Sequence, residues 1–302
     1  MTDLLGGVEA GGTKFILGLR RGGQLLESAR IATRDPGTTL AEMADFFTQA
    51  RARHGEIAAL GLATFGPIEL DRGNPLFGHI VGTPKPGWDR CNLVSALAEC
   101  GKAPIAVETD VNAAAYAEGQ TGACVGLERF CYVTVGTGIG VGYIEDGAPA
   151  RAIPHAETGH MTVKRAPGDT FAGICPYHGD CLEGVACGPA MTAHWGTSGS
   201  NLPQDHEAWT FEAHYIASLC VNLTYGFRPQ RIVLGGGVFN APFLLERVRQ
   251  TFGTLINGYA PGPYAAEPAT YLATPGLTDP SPGLEGAFLL ARSLLEGHPE
   301  WV

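Results

Sequence analysis

The chain has 302 residues, 45% of them hydrophobic, and a formal net charge of −10. That length holds two ordinary domains or one two-lobed unit, and the apolar content excludes a disordered chain. The acidic balance argues against a general nucleic-acid binder, and no apolar run is long enough for a membrane span. Met1-Thr-Asp-Leu-Leu carries no signal-peptide pattern, so a cytoplasmic location is expected. Glycine is abundant, at 43 residues, and often sits beside apolar runs, where tight turns and close backbone approach call for it. The eight cysteines do not describe a disulfide scaffold in a chain of this size. Cys100, Cys124, Cys131, Cys187 and Cys220 read as small core residues, and Cys91 is open. Cys175 and Cys181 fall in a stretch rich in Gly, Pro and His.

An apolar strand ends near Val8 and runs into Glu9-Ala-Gly11-Gly12-Thr13-Lys14, with further strands at 15–19 and 25–32. Thr39 and Glu42 have capping-box spacing, with Leu40, Met43 and Phe47 on one helical face. A buried strand at 57–63, a loop-rich section to Trp88, a short helix at 93–97 and a strand at 105–107 follow. At Phe130 the pattern restarts: a strand at 130–135, the glycine turn 136–140, a strand at 141–144 and a hairpin turn at Asp146-Gly147. Gly11 to Gly22 and Gly136 to Gly147 are both eleven residues apart, which implies a duplicated architecture. A helix over 206–225 carries Trp209, Ala213, Ile216, Cys220 and Leu223 at 4-3-4-3 spacing. A strand at 231–234, Gly235-Gly236-Gly237, a helix at 242–256 and a last helix at 284–295 complete the chain. The expected lobes are 1–115 and 116–280, with 281–302 a helix returning to the first lobe.

Two glycine turns that each join apolar strands suit phosphate groups, whose oxygens need converging backbone N–H donors. Gly11, Gly12, Thr13 and Lys14 form the first, beside Glu9; Thr137 and Gly138 lie in the second. Neither is a Walker A loop, and Tyr143 stands where a dinucleotide fingerprint needs its third glycine. Asp110 lies between a buried strand and an Ala-rich helix beginning near Asn112. It is either a helix N-cap or a general base, since α/β proteins place ligands at strand ends. Cys175-Pro-Tyr-His178-Gly-Asp-Cys181 offers three ligands from one tight loop, and His160 or His155 completes a tetrahedron. Four protein ligands close the site, so a zinc here is structural. Glu157 and Glu183 lie beside these ligands and either bind a polyol or are simply solvated. Trp88, in the rigid Gly82-Thr-Pro-Lys-Pro-Gly-Trp88 loop, is a half-buried anchor or a platform for a sugar ring.

Together these stretches resemble the ROK family (repressor, open reading frame, kinase), and within it the bacterial fructokinase branch. The resemblance spans nearly the whole chain. It is carried by Gly7-Val-Glu9-Ala-Gly-Gly-Thr-Lys14, Phe65-Gly-Pro-Ile68, Thr83-Pro-Lys-Pro-Gly-Trp88 and Thr109-Asp-Val-Asn112, then by Gly136-Thr-Gly-Ile-Gly140, Glu157-Thr-Gly-His160, Cys175 to Glu183 and Leu234-Gly-Gly-Gly-Val238. It implies a two-lobed α/β fold of the ribonuclease-H-like actin/heat-shock-ATPase/hexokinase superfamily, with an ATP cleft between lobes. It implies ATP-dependent phosphorylation of a hexose with Mg²⁺, with fructose the expected acceptor and mannose, glucose or an N-acetylhexosamine the alternatives. By the same resemblance Asp110 is the general base. Gly66, Trp88, Asn112, Glu157, His160 and Glu183 face the sugar; Gly11 to Lys14, Thr137 and Gly138 hold phosphates. Pro189, Gly235, Gly236, Gly237 and Asn240 form the adenosine side, and His160, Cys175, His178 and Cys181 hold Zn²⁺. Departures are Glu9 where many members have Asp, Thr109 where many have Asn, and His178 where glucokinase-like members have Cys. A sugar-responsive repressor, also found in the family, needs a helix-turn-helix before the first strand, and no room is left for one. A non-catalytic sugar- or zinc-binding module is disfavoured by Asp110 and both glycine turns. A homodimer, with no nucleic-acid or membrane partner, is expected.

Overall fold

The computed structural model describes residues 3–150, 155–259 and 261–297. Two compact units emerge. One takes the described residues up to Ala117, His155, and those from Leu277 onward; the other takes Glu118–Ala150 and Ala156–Gly276.

The first unit opens with β1 (Leu4–Ala10), β2 (Lys14–Arg21) and β3 (Gln24–Ala32), an antiparallel meander. α1 (Pro36–His54) starts one turn ahead of the expected capping box. Asp35 accepts from Thr38 N at 2.9 Å and Pro36 supplies a preset first turn. Thr39 is left to accept from Arg34 N at 2.9 Å. β4 (Ala59–Thr64), α2 (Leu93–Gly101) and β5 (Ile105–Thr109) follow, giving the sheet order β3-β2-β1-β4-β5 with β1, β4 and β5 parallel. α3 (Asp110–Gln120) begins two residues earlier than expected, because Thr109 Oγ1 accepts from Asn112 N at 3.3 Å and so caps it.

The second unit repeats this plan with β6 (Arg129–Val135), β7 (Ile139–Glu145) and the two-residue β8 (Ala148–Pro149). After a long excursion come α4 (Leu182–Ala186), α5 (Gly188–Trp195) and α6 (Ala208–Phe227). β9 (Arg231–Gly235), α7 (Leu244–Ile256), the single turns α8 (Pro263–Ala266) and α9 (Pro268–Tyr271), and β10 (Leu272–Ala273) close it. The order β8-β7-β6-β9-β10 matches the first sheet strand for strand, with β6, β9 and β10 parallel. The glycine turn is shorter than expected. Gly136 N donates to Gly138 O at 2.9 Å, and Ile139 and Gly140 already belong to β7.

α6 and α7 cover the second sheet through Trp209, Ile216, Leu223, Val248 and Phe252, burial worth about 1.5–3 kcal/mol for each large apolar chain. One carboxyl is trapped there: Glu212 is 2% exposed and its Oε1 has no partner. Burial raises its pKa well above the carboxylate norm.

The last helix, α10 (Pro282–Glu296), packs on β1, β4 and β5 of the first unit. The approach is so close that a Cβ on Gly61 would overlap Ala287 O, and one on Gly286 would overlap Ala113 O. Arg20 of β2 fixes the helix by donating from Nη1 to Glu285 Oε1 at 2.7 Å, with Nη2 on Oε2 and the guanidinium 4.3 Å above the Phe288 ring. Together these two features hold the end of the chain in register with the start.

Candidate active site

In the first unit, strand register does the positioning. Ala10 pairs with Thr64, and Thr64 with Thr109, so the residues that follow them leave from one edge of the sheet. Gly11, Phe65 and Asp110 are those residues. At about 4.8 Å between strands, the glycine turn and Asp110 stand roughly 10 Å apart across that edge. Gly11 N donates to Lys14 O at 2.9 Å and a Cβ at Gly11 would meet that oxygen at 2.9 Å, so the turn is closed on glycine. Two side chains without a sequence-based role enter it: Thr33 Oγ1 donates to Gly11 O at 2.7 Å, and Lys85 Nζ donates to Gly12 O. Lys85 was legible only as part of a rigid loop. Glu9 accepts from Ser281, a partner 272 residues away that no local pattern could reveal.

Asp110 is partly exposed at the head of α3, and its Oδ1 accepts from Val111 N at 2.9 Å. The helix N-cap expected as one reading of Asp110 is Thr109 instead, and Asp110 is the first residue of α3, directly after the end of β5. Asn112 donates from Nδ2 to Glu108 Oε1 at 3.1 Å. The Phe65–Ile68 turn holds a cis Gly66-Pro67 bond and is pinned from two sides. Phe65 N donates to Ala10 O and Val81 N to Pro67 O, each at 2.8 Å. His155 lies against it, with Nε2 accepting from Ile68 N at 3.1 Å and the ring 3.1 Å from where a Gly66 Cβ would be.

Trp88 is corrected. It is 0% exposed, its Nε1 donates to Arg34 O at 2.8 Å, and its ring packs on Phe15 and Phe65. A buried ring cannot serve as a platform for a sugar; it anchors the Pro-Lys-Pro loop.

In the second unit the same strand-end logic gathers glycines. Thr134 pairs with Gly235, so Gly236 falls beside Val135 and Gly136 beside Gly237 as both strands leave the sheet. A Cβ at Gly236, where φ is +93°, would overlap Val135 O, so only glycine fits. Gly188 N donates to Gly136 O at 2.8 Å, bringing Gly188-Pro189 and the start of α5 to the same place. Thr137 and Pro189 are exposed there, and the 3-10 turn Gly237–Asn240 continues from Gly236.

The candidate metal ligands lie in this unit too. Donor atoms of His160, Cys175, His178 and Cys181 all fall within 4.8 Å of one another. His160 Nδ1 is 3.4 Å from Cys181 Sγ and 3.7 Å from Cys175 Sγ, and Cys175 Sγ is 3.6 Å from His178 Nδ1. A tetrahedron with Zn–S near 2.3 Å and Zn–N near 2.0 Å has edges of about 3.6 Å, so the donor set fits zinc. His160 is thus the fourth member, while His155 is engaged with Ile68. The loop is tight because Cys175 and Gly179 exchange backbone hydrogen bonds at 3.1 and 2.9 Å. A Cβ on Gly173, at φ +82°, would overlap Gly179 O. Burial pushes the Cys181 thiol up to about 11, so metal binding must displace its proton. The surrounding excursion buries little apolar surface and is tied down instead by Asp169, which accepts from Phe171 N at 2.8 Å and from the Tyr215 hydroxyl.

Ile139 joins the metal cluster to the glycine turn. Glu183 Oε2 accepts from Ile139 N at 2.8 Å, while Glu183 Oε1 lies 3.8 Å from His160 Nε2. Gly159 lies so close that a Cβ would overlap Ile139 O, which explains the glycine inside Glu157-Thr-Gly-His160. Glu157 is open at its surface, yet desolvation by the protein around it, with the Glu183 charge second, pushes its carboxyl up to about 6.

A duplicated ribonuclease-H-like sheet carrying glycine turns at its strand ends defines an actin-like phosphotransferase fold. The profile of the ROK family matches residues 5–293, and the chain belongs to that family. It is 38% identical to a fructokinase of Pediococcus pentosaceus over 97% of this chain and 99% of that one. It is 40% identical to a fructokinase of Zymomonas mobilis over 95% and 96%. Among solved structures it is similar to a ROK hexokinase from Thermus thermophilus, with TM-score 0.75 and 27% identity over 97% and 99% of the two chains. No helix among the described residues is long and apolar enough to cross a membrane.

Proposed function

We propose that this chain is an ATP-dependent sugar kinase that converts fructose to fructose 6-phosphate. One observation carries the chemistry: the strand register sets the Gly11 turn, the Gly66 turn and Asp110 along one sheet edge. The fructokinase relatives supply the acceptor.

The Asp110 carboxylate takes the proton of the acceptor hydroxyl as its oxygen bonds to the γ-phosphorus. The bond from that phosphorus to the β–γ bridging oxygen breaks, and ADP leaves. Backbone N–H groups of Gly12 and Thr13, and of Thr137 and Gly138, receive phosphate oxygens, with Gly11, whose own N–H closes the turn on Lys14 O, letting them approach; Pro189 and Gly235 to Asn240 border the adenosine. Magnesium arrives with the nucleotide and neutralises phosphate charge when bound. Gly66, Asn112, Glu157, His160 and Glu183 receive the sugar. His160, Cys175, His178 and Cys181 would hold a structural zinc that fixes the loop ahead of Glu183.

A coupled ADP-release assay over fructose, mannose, glucose and N-acetylhexosamines tests the acceptor. Fructose should give the highest kcat/KM; a preference for another hexose overturns the acceptor assignment, and ADP release with none of them overturns the kinase. Homodimer formation follows the family resemblance, and light scattering checks it.

A further inference from the structure

We infer that Lys85 is a phosphoryl-contacting residue, a cation that meets the terminal phosphate of the nucleotide at the first glycine turn. The inference rests on the kinase reading and adds to it a residue of the loop between β4 and α2.

Lys85 stands between Pro84 and Pro86, so the backbone on both sides has little freedom. The loop is fastened at its far end by buried Trp88, whose Nε1 holds Arg34 O, and Trp88 N donates back to Lys85 O at 3.2 Å. Lys85 N is held by Thr83 Oγ1 at 3.3 Å. From this frame the side chain reaches a turn 73 residues earlier in the chain, where Nζ donates to Gly12 O. An ammonium has three donors, and one carbonyl uses one of them. Among the described residues no carboxylate lies within ion-pair distance of Nζ. The charge is half-buried, and desolvation lowers its pKa. A partly desolvated cation with spare donors is costly unless an anion pairs with it. The neighbouring backbone is a glycine turn of the kind that receives phosphate oxygens. A phosphoryl group therefore satisfies both the spare donors and the charge. The ordinary use of a lysine on a loop, a solvated surface charge, needs neither the proline frame nor the inward reach.

Lys85→Met, Lys85→Gln and Lys85→Arg separate charge from tethering. Gln keeps a neutral donor for Gly12 O, Arg keeps the charge, and Met keeps neither. Lys85→Met is expected to lose about 100-fold in kcat/KM for ATP with the hexose KM within about twofold of wild type, Lys85→Gln nearly as much, and Lys85→Arg about tenfold or less. Calorimetry without acceptor should show ATP affinity falling about tenfold in Lys85→Met and ADP affinity changing less than threefold. Wild-type activity in Lys85→Gln makes the residue a tether and overturns the inference. So does ATP affinity unchanged in Lys85→Met, a result readable even if the wild type phosphorylates no hexose. Matching thermal melts across the series confirm that each variant folds.

Discussion

In the first unit β3 runs for nine residues and leads straight into α1, whereas in the second β8 stops after two. The chain there goes on through Glu157–His160 and the Cys175–Cys181 loop before any long helix forms. The sheets are otherwise the same, strand for strand. A full edge strand buys stability from ladder hydrogen bonds and alternate burial. The excursion in the second unit has little of either and draws on a four-ligand cluster and the Asp169 hydrogen bonds. Shortening one edge strand releases a segment whose polar groups can face a ligand, and places in it four side chains that could hold a metal. In the first unit the proposed base, Asp110, follows directly on the end of β5.

The comparison breaks most sharply at Asp110. Asp110→Asn should lower kcat by about 10³-fold or more, within the range of a lost general base. Calorimetric binding of ATP and fructose should stay near wild type, and a variant that still turns over at a tenth of the normal rate contradicts the assignment.

Two glycines give a matched pair of collisions. Gly61→Ala drives a methyl into Ala287 O beneath α10, and Gly159→Ala drives one into Ile139 O beside the metal cluster. Each should cost on the order of 3 kcal/mol in denaturant unfolding. If the units divide labour as described, Gly159→Ala in addition raises the fructose KM about tenfold, whereas surviving Gly61→Ala enzyme keeps a normal KM. Equal KM effects would erase the distinction.

Two histidines five residues apart sharpen it further. His160→Ala should lose bound zinc by atomic-emission assay, and His155→Ala should retain it at one per chain. Zinc retained in His160→Ala would remove that histidine from the ligand set.

The smallest effect concerns Glu212. Its carboxyl pKa is raised in the folded state, so the native protein binds more protons than the unfolded one above about pH 4.5. Stability is therefore greatest below that point and declines as pH climbs towards the folded value. Glu212→Gln should flatten the decline, raising Tm by about 2–4 °C at pH 8 and hardly at all near pH 4.5. A Tm gain independent of pH would show that the carboxyl is not the cause.

The longer sheet strands were legible because apolar runs bounded by glycine turns leave few alternatives, and the eleven-residue spacing announced the repeat; the two-residue strands β8 and β10 were not, being too short to show a period. The Cys-x-x-His-x-x-Cys loop was legible because ligand spacing is local. Long-range partners were not. Nothing near Glu9 points to Ser281, and nothing near Ile139 points to Glu183 and Gly159. Trp88 looked available because an aromatic in a Pro/Gly loop has no periodicity to betray its burial. Asp35-Pro36 out-competed the Thr39–Glu42 box as a helix start because a capping carboxylate and a preset φ act together.

The link between metal and acceptor site is tested most directly by one steady-state measurement: the fructose KM of a single preparation before zinc stripping, after it, and after zinc is restored. The KM should rise about tenfold or more on stripping and return on reloading, with the ATP KM changing less than twofold. A fully stripped enzyme that phosphorylates fructose with an unchanged KM would contradict the account.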